Sequence, residues 1–176
     1  MAELALPNLN CTALVDGEAT GRCVLLREPL SFWGGFDVQC GKIIERSHAD
    51  VGAVLTGGIL LMSGGKGSSS SASVLAEAIR IGTAPSAIIL LHRDLVVALG
   101  CIVASELYGM DVPVVLADVT AWDRLCALPP HSMLTVRARA ALCEVLFDGP
   151  RDRGDDLGNR AESGNGGLPR GQGDHG

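Results

Sequence analysis

The chain has 176 residues, of which 47% are hydrophobic and 3% aromatic, and it carries a net charge of −6. That suffices for one domain with a core of Val, Leu, Ile and Ala, and the acidic balance excludes a basic nucleic-acid surface. Apolar runs fall short of the ~18 residues a membrane span needs, and MAELALPNLN lacks the basic start and long apolar core of a signal peptide; a cytoplasmic protein without membrane or nucleic-acid partners is expected.

The N-terminal part reads as strands. CTALVDGEATGRCVLL places a turn-like DGEATG between two short apolar runs. EPLSFWGGFDVQCGKII is punctuated by glycine and half loop. GGILLMSGG has a buried-strand core at Ile59–Met62 ending in glycines. After a serine run, ASVLAEAIRIG predicts a helix: Val74, Leu75, Ala78 and Ile79 share a face, with Glu77 and Arg80 off it, and Gly82 supplies the stop. SAIILL reads as a buried strand. DLVVALGCIVASELYG reads as a second helix, capped by Asp94 and stopped by Gly109. VPVVLA is a strand, TAWDRLCAL a short helix ended by Pro129 and Pro130, and MLTVRARAALCEVLF closes the domain with one or two strands.

This order predicts a single mixed α/β domain with some parallel pairing, not a full doubly wound sheet. The domain is assigned to residues 1–148. Residues 149–176 are expected to form a disordered, Gly-rich, charged tail, the composition changing most sharply from Arg151; such a segment buries too little to offset its ordering entropy. His175 falls in this tail and is expected to be incidental.

The six cysteines, at 11, 23, 40, 101, 126 and 143, form no CxxC pair, and none lies within four residues of a histidine. Lacking zinc spacing, they read as small core residues, with Cys40 the most exposed. No metal ligand is assigned to the chain. His48 reads as a solvated loop residue, His92 and His131 as residues at element ends, and Asp118 and Asp123 as caps or surface charges.

Two stretches stand apart. GGKGSSSSAS, residues 64–73, joins the end of a buried strand to the start of a helix. Serines there cap the helix, glycines let a ligand approach the backbone, and free N–H groups with Lys66 attract a carboxylate or phosphate. The alternative is a Ser/Gly linker that happens to cap a helix. A Walker A loop is a poor match, because Gly67 follows Lys66 and Leu60 holds the first glycine position. PLSFWGGFD, residues 29–37, gathers two Phe and one Trp in a chain nearly devoid of aromatics. It reads either as a hydrophobic turn closing the core or as an apolar wall with exposed amides.

These segments, with GKII, GTAPSAIIL and ALGCIVASELYGMDVPVV, resemble the small subunit, or swivel domain, of aconitase X, over residues 12 to 120. The resemblance implies an α/β swivelling β/β/α domain of the aconitase superfamily. It implies a large catalytic partner subunit holding an iron–sulfur or iron centre, so that this chain itself needs no cofactor. It implies dehydration of a small hydroxy acid: cis-3-hydroxy-L-proline, towards which the four-serine run and ELYG lean, or alternatively mevalonate 5-phosphate. Family members carry G-[KR]-G-S with the first serine as proton acceptor, which here is Ser68. Lys66, Gly67, Ser69, Ser70, Phe32, Trp33, Gly34 and Gly35 are then expected to bind substrate. Ser63 and Gly64 depart from the family's usual residues before GKG, and Asp37-Val38-Gln39-Cys40-Gly41 departs from D-P-E-T-G.

The chemistry is coherent with such a loop. Dehydrating a 3-hydroxy acid removes the proton beside the carboxylate and expels hydroxide, a departure that a Lewis-acidic metal assists. A serine base is less costly at a helix N-terminus beside a lysine. Two rivals compete with this reading. A phosphohistidine carrier domain needs a histidine in the loop, yet none lies between His48 and His92. A non-catalytic carboxylate- or phosphate-binding module would need no partner and no exposed apolar face.

Overall fold

The computed structural model describes residues 9 to 140 and 142 to 150. In chain order the elements are β1 (Cys11–Val15), β2 (Gly17–Leu25), a kinked helical turn α1 (Phe32–Gly35), β3 (Phe36–Asp37), β4 (Lys42–Ile43), β5 (Ile59–Met62), α2 (Ser70–Ile81), β6 (Ala87–Leu90), α3 (Leu95–Tyr108), β7 (Val114–Ala117), α4 (Val119–Cys126), β8 (Ser132–Arg139) and β9 (Leu142–Pro150). Seven strands form one sheet in the order β1-β7-β6-β5-β2-β8-β9, and β3 pairs with β4 separately. Strands β2, β5, β6 and β7 run parallel, while β1 and the β8–β9 hairpin are antiparallel to their neighbours. The sheet curls until its outermost strand β1 touches β8 and β9 at the opposite end of the order.

Period-2 alternation divides the core. Leu60, Met62, Ile88 and Leu90 face α2 and α3 on one side of the sheet. Ile59, Leu61 and Ile89 face inward with Leu134, Val136, Val145 and α4 residues Ala121 and Leu125. Strands buried on both faces read as continuous apolar runs, which is why ILLM and AIIL were recognisable as strands.

Helix α3 begins and ends, and helix α2 ends, where the sequence places them. Asp94 accepts hydrogen bonds from Val96 N and Val97 N, Gly109 closes α3 at φ 64°, and Gly82 closes α2 at φ 79°. Helices α2 and α3 pack closely at Gly100, where an added Cβ would stand 2.8 Å from the Ala72 carbonyl oxygen. Gly100→Ala gains about 1 kcal/mol of helix propensity, against about 1–3 kcal/mol of overpacking on a backbone atom that cannot swing aside. Net destabilisation, read as a lower urea midpoint at unchanged slope, is the expected result.

One expectation about the strands fails. DGEATG is not a turn: Asp16 alone separates β1 from β2, and Gly17 to Gly21 lie within a nine-residue strand. Cross-strand pairs override the turn-forming composition. Glu18 pairs with Arg137 at 3.0 Å and the Thr20 hydroxyl meets that of Thr135 at 2.7 Å, each opposite its register partner. At the other end, β9 runs to Pro150, two residues past the boundary expected from composition. The remainder of the expected tail, with His175, lies outside the described residues. None of the helices among the described residues is long and apolar enough to cross a membrane.

Candidate active site

The serine loop leaves the buried end of β5 and enters α2, and three separate segments hold it. Gly65 forms a parallel bridge with Leu30, and Lys66 N donates to the Leu30 carbonyl at 3.1 Å. Gly65 N donates to Asp94 Oδ2 at 2.9 Å, so the residue that caps α3 through its other oxygen also fixes the loop. Lys66 Nζ donates to Glu45 Oε1 at 2.8 Å. Gly67 then turns with φ 105°, a conformation suited to glycine, and an added Cβ would lie 2.6 Å from Ser31 Oγ.

The two unusual stretches of the sequence therefore meet. Ser31 Oγ donates to the Trp33 carbonyl at 2.8 Å, and Trp33 N donates to Ser71 Oγ at 3.2 Å, tying α1 to the first turn of α2. The aromatic residues divide by role. Phe32 is 1% exposed and packs edge-on against Phe36 with centroids 5.5 Å apart. The expectation that Phe32 lines a ligand site gives way to that of a core anchor, because burial leaves it no open face. Trp33 is 62% exposed and stands beside the loop. Gly34 turns at φ 78°, and the Gly35 carbonyl accepts from Ile44 N and Glu45 N.

Ser68, Ser69 and Ser70 are exposed. Helix α2 starts with Ser71 N donating to the Ser68 carbonyl and Ala72 N to that of Ser69. Contrary to the capping expectation, Ser69 at the N-cap position makes no side-chain cap. Its hydroxyl and that of Ser68 are thus left to solvent. The amides of Ser68, Ser69 and Ser70 find no acceptor among the described residues, and such orphan donors at a helix N-terminus attract negative charge.

Glu45, which the sequence did not single out, changes the electrostatics. Its hydrogen bond to Lys66 holds its carboxyl below the usual glutamate range, so the lysine charge is met within the chain rather than offered free. A lowered folded-state value means that the pair's contribution is present above the ordinary glutamate pKa and is lost as pH falls through the folded value. The 13C-carboxyl titration of Glu45 should therefore show a midpoint below that of a free glutamate, and Lys66→Met should raise it. His48 is also not the solvated residue expected. It is buried, its Nδ1 accepts from Asp50 N at 3.0 Å, and Asp50 in turn pairs with Arg27. His48 Nε2 and Glu45 Oε2 are buried without a partner among the described residues. Neither side chain carried a motif; only the return of the 45–50 loop beneath α1 and the serine loop brings them here.

The remaining polar expectations fall at element ends. His92 follows β6, His131 precedes β8 with φ 64°, and Asp118 caps α4 through Ala121 N. A cavity of about 850 Å3 opens elsewhere, between β2 and the end of α4, lined by Cys23, Leu125, Cys126, Pro129 and Met133. The serine loop itself lies open on the surface.

A curled sheet with a parallel β-α-β-α-β unit, presenting an anion-attracting loop at a strand-to-helix junction instead of enclosing it, defines a swivel-type α/β domain. A family model described as the aconitase X swivel domain matches residues 8–142, and the chain belongs to that family. It is 39% and 42% identical over 116 residues to proteins named cis-3-hydroxy-L-proline dehydratase from Hypocrea jecorina and Pseudomonas aeruginosa, covering 66% of this chain and 20% of each of theirs. The chain thus spans about a fifth of the length of those relatives. It is 36% identical over 96 residues to the phosphomevalonate dehydratase small subunit of Methanothermobacter thermautotrophicus, covering 54% of this chain and 73% of that one. The crystal structure of Thermococcus kodakaraensis aconitase X superposes with a TM-score of 0.66 at 30% identity, over 80% of this chain and 98% of that one.

Proposed function

We propose that this chain is the swivel component of an aconitase X-type hydro-lyase, in which Ser68 takes the proton beside the substrate carboxylate. The observation that carries the reading is the exposed Ser68 hydroxyl beside unpartnered amides at the start of α2, on a loop tied down by Leu30, Asp94 and Glu45. Amides aimed at a carboxylate stabilise the charge that grows on it as the proton leaves. The same amides and the helix dipole lower the cost of a serine alkoxide. Lys66 shares its charge with Glu45, so the backbone of Gly67, Ser69 and Ser70 is assigned the larger part in holding the substrate. Trp33 supplies an apolar wall.

The residues described here do not fit a metal centre: no group of three or more His, Cys, Asp or Glu among them is placed to hold one. The iron–sulfur or iron centre is therefore assigned to a large partner. Relatives in which this domain is 20% of the chain, together with those named small subunits, support such a partner. So does the rim of the site. Trp33, Ile44 and Val51 are all half or more exposed, on segments joined by Ile44 N to Gly35 O and Gly52 N to Ile43 O. An apolar rim around an open polar loop fits burial on assembly.

The substrate assigned is cis-3-hydroxy-L-proline, on the relatives of 39% and 42% identity; mevalonate 5-phosphate is the second reading, on the 36% identical small subunit. Co-expression of this chain, tagged, with its large-subunit candidate, followed by anaerobic dehydration assays on both compounds, tests the proposal. A partnered, iron-containing complex that turns over one of them is the expected result. A chain that binds no partner and retains a small anion by itself would leave a non-catalytic binding module.

A further inference from the structure

The curled sheet has a seam. Strands β1 and β9 occupy the two ends of the strand order, each paired to a single neighbour within the sheet, yet they touch each other across the closure. Cys11 lies on β1 and Cys143 on β9, and both pack against the same inward-facing core. Each thiol is the other's main perturbing neighbour: the Cys143 side chain pushes the Cys11 thiol up, and the Cys11 side chain draws the Cys143 thiol down. Both residues are partly exposed, so a small oxidant can reach them. Neither takes any part in the serine loop or its supports.

We propose that Cys11 and Cys143 are a dithiol modification site that closes to an intramolecular disulfide across the seam of the curled sheet. The oxidant is a low-molecular-weight disulfide such as glutathione disulfide. Cys143 attacks first, because the interaction with Cys11 favours its thiolate, while the same interaction pushes the Cys11 thiol up. The Cys143 thiolate attacks one sulfur of the oxidant. That S–S bond breaks, a glutathione thiolate leaves and takes up a proton, and Cys143 carries a mixed disulfide. With the Cys143 charge gone, Cys11 releases its proton to solvent and attacks the Cys143 sulfur, expelling the second glutathione. Two protein thiols lose two electrons and the oxidant becomes two thiols.

The bond would close a loop of about 130 residues, which strongly restricts the unfolded chain. It also converts a seam held by packing into a covalent one, so that the domain's stability follows the surrounding thiol–disulfide poise. Trypsin separates the cysteines cleanly, since residues 1–22 and 140–151 carry one each. After equilibration of the full chain with glutathione disulfide, non-reducing mass spectrometry should recover these two peptides joined. The Tm should rise by about 5 °C or more, fall back on adding dithiothreitol, and stay unchanged by oxidant in Cys11→Ser and Cys143→Ser. The peptide map needs no variant, so it decides the matter even if a serine substitution unfolds the chain. Recovery of both peptides with free or merely glutathionylated thiols would overturn the proposal, as would a joined pair from the neighbouring Cys23 and Cys126 in place of this one.

Discussion

Ser68→Ala is expected to lower kcat of the assembled enzyme by about 100- to 10,000-fold, the range set by losing a positioned proton acceptor. KM should change little, because the groups assigned to hold the carboxylate are backbone amides that alanine leaves in place. Ser69→Ala and Ser70→Ala should each retain activity within about tenfold, since their amides rather than their hydroxyls are assigned to the substrate. Thermal melts should not separate the three variants from the parent: all three hydroxyls are exposed, and Ser69 makes no side-chain cap whose loss would cost stability. Steady-state kinetics on the complex check this directly. Equal, small losses at all three positions would mean that the serine run only binds, and the proton acceptor would have to be sought on the partner.

Asp94→Ala is expected to be the most damaging substitution outside the core. One carboxylate satisfies three backbone donors: Val96 N and Val97 N through Oδ1, and Gly65 N through Oδ2. Losing the cap costs about 1 kcal/mol, and stranding a half-buried Gly65 N–H adds about 1–3 kcal/mol, so the urea midpoint should correspond to a loss of about 2–4 kcal/mol. Asp94→Asn separates the two duties. The amide oxygen can still cap α3, but the NH2 group in place of Oδ2 cannot accept from Gly65. That variant should keep most of the Tm while kcat falls by about tenfold or more, because the loop loses one of its three anchors and the reacting groups shift. A variant equal to the parent in both readings would show that the bond to Gly65 does not set the geometry of the loop.

The aromatic stretch shows how composition can mark a region without assigning its members. SFWGG stood out because aromatics are rare in this chain, and the structure ties it to the start of α2 through Trp33 N and Ser71 Oγ. Which ring is buried was undecided in the sequence, since Phe32 and Trp33 are adjacent and the backbone is irregular there: Trp33 has ψ 115° and Gly34 φ 78°. Without a regular period, neighbouring side chains carry no signal about direction. Lys66 is a related case. Its charge was legible, but its pairing with Glu45 was not, because the two are 21 positions apart and the intervening chain has no repeating pattern.

What the sequence by itself determined is everything governed by local chemistry. Continuous apolar runs made β5 and β6 readable, apolar spacing made α2 readable, and Asp94, Gly82 and Gly109 marked their helix ends. The Gly-Lys-Gly-Ser loop was legible in the same way, through residues contiguous in the chain, as the junction between β5 and α2. Tertiary structure alone decided the features that depend on distant segments meeting. It turned Gly17 to Gly21 into strand through cross-strand pairs with β8, brought Glu45 to Lys66 and Asp94 to Gly65, buried His48, and gathered Cys11 and Cys143 against one core at the seam. Each of these contacts joins residues more than twenty positions apart or encloses a loop residue under another segment. The free energy that selects them comes from strand register and the packing of distant segments, which no local window of the chain contains.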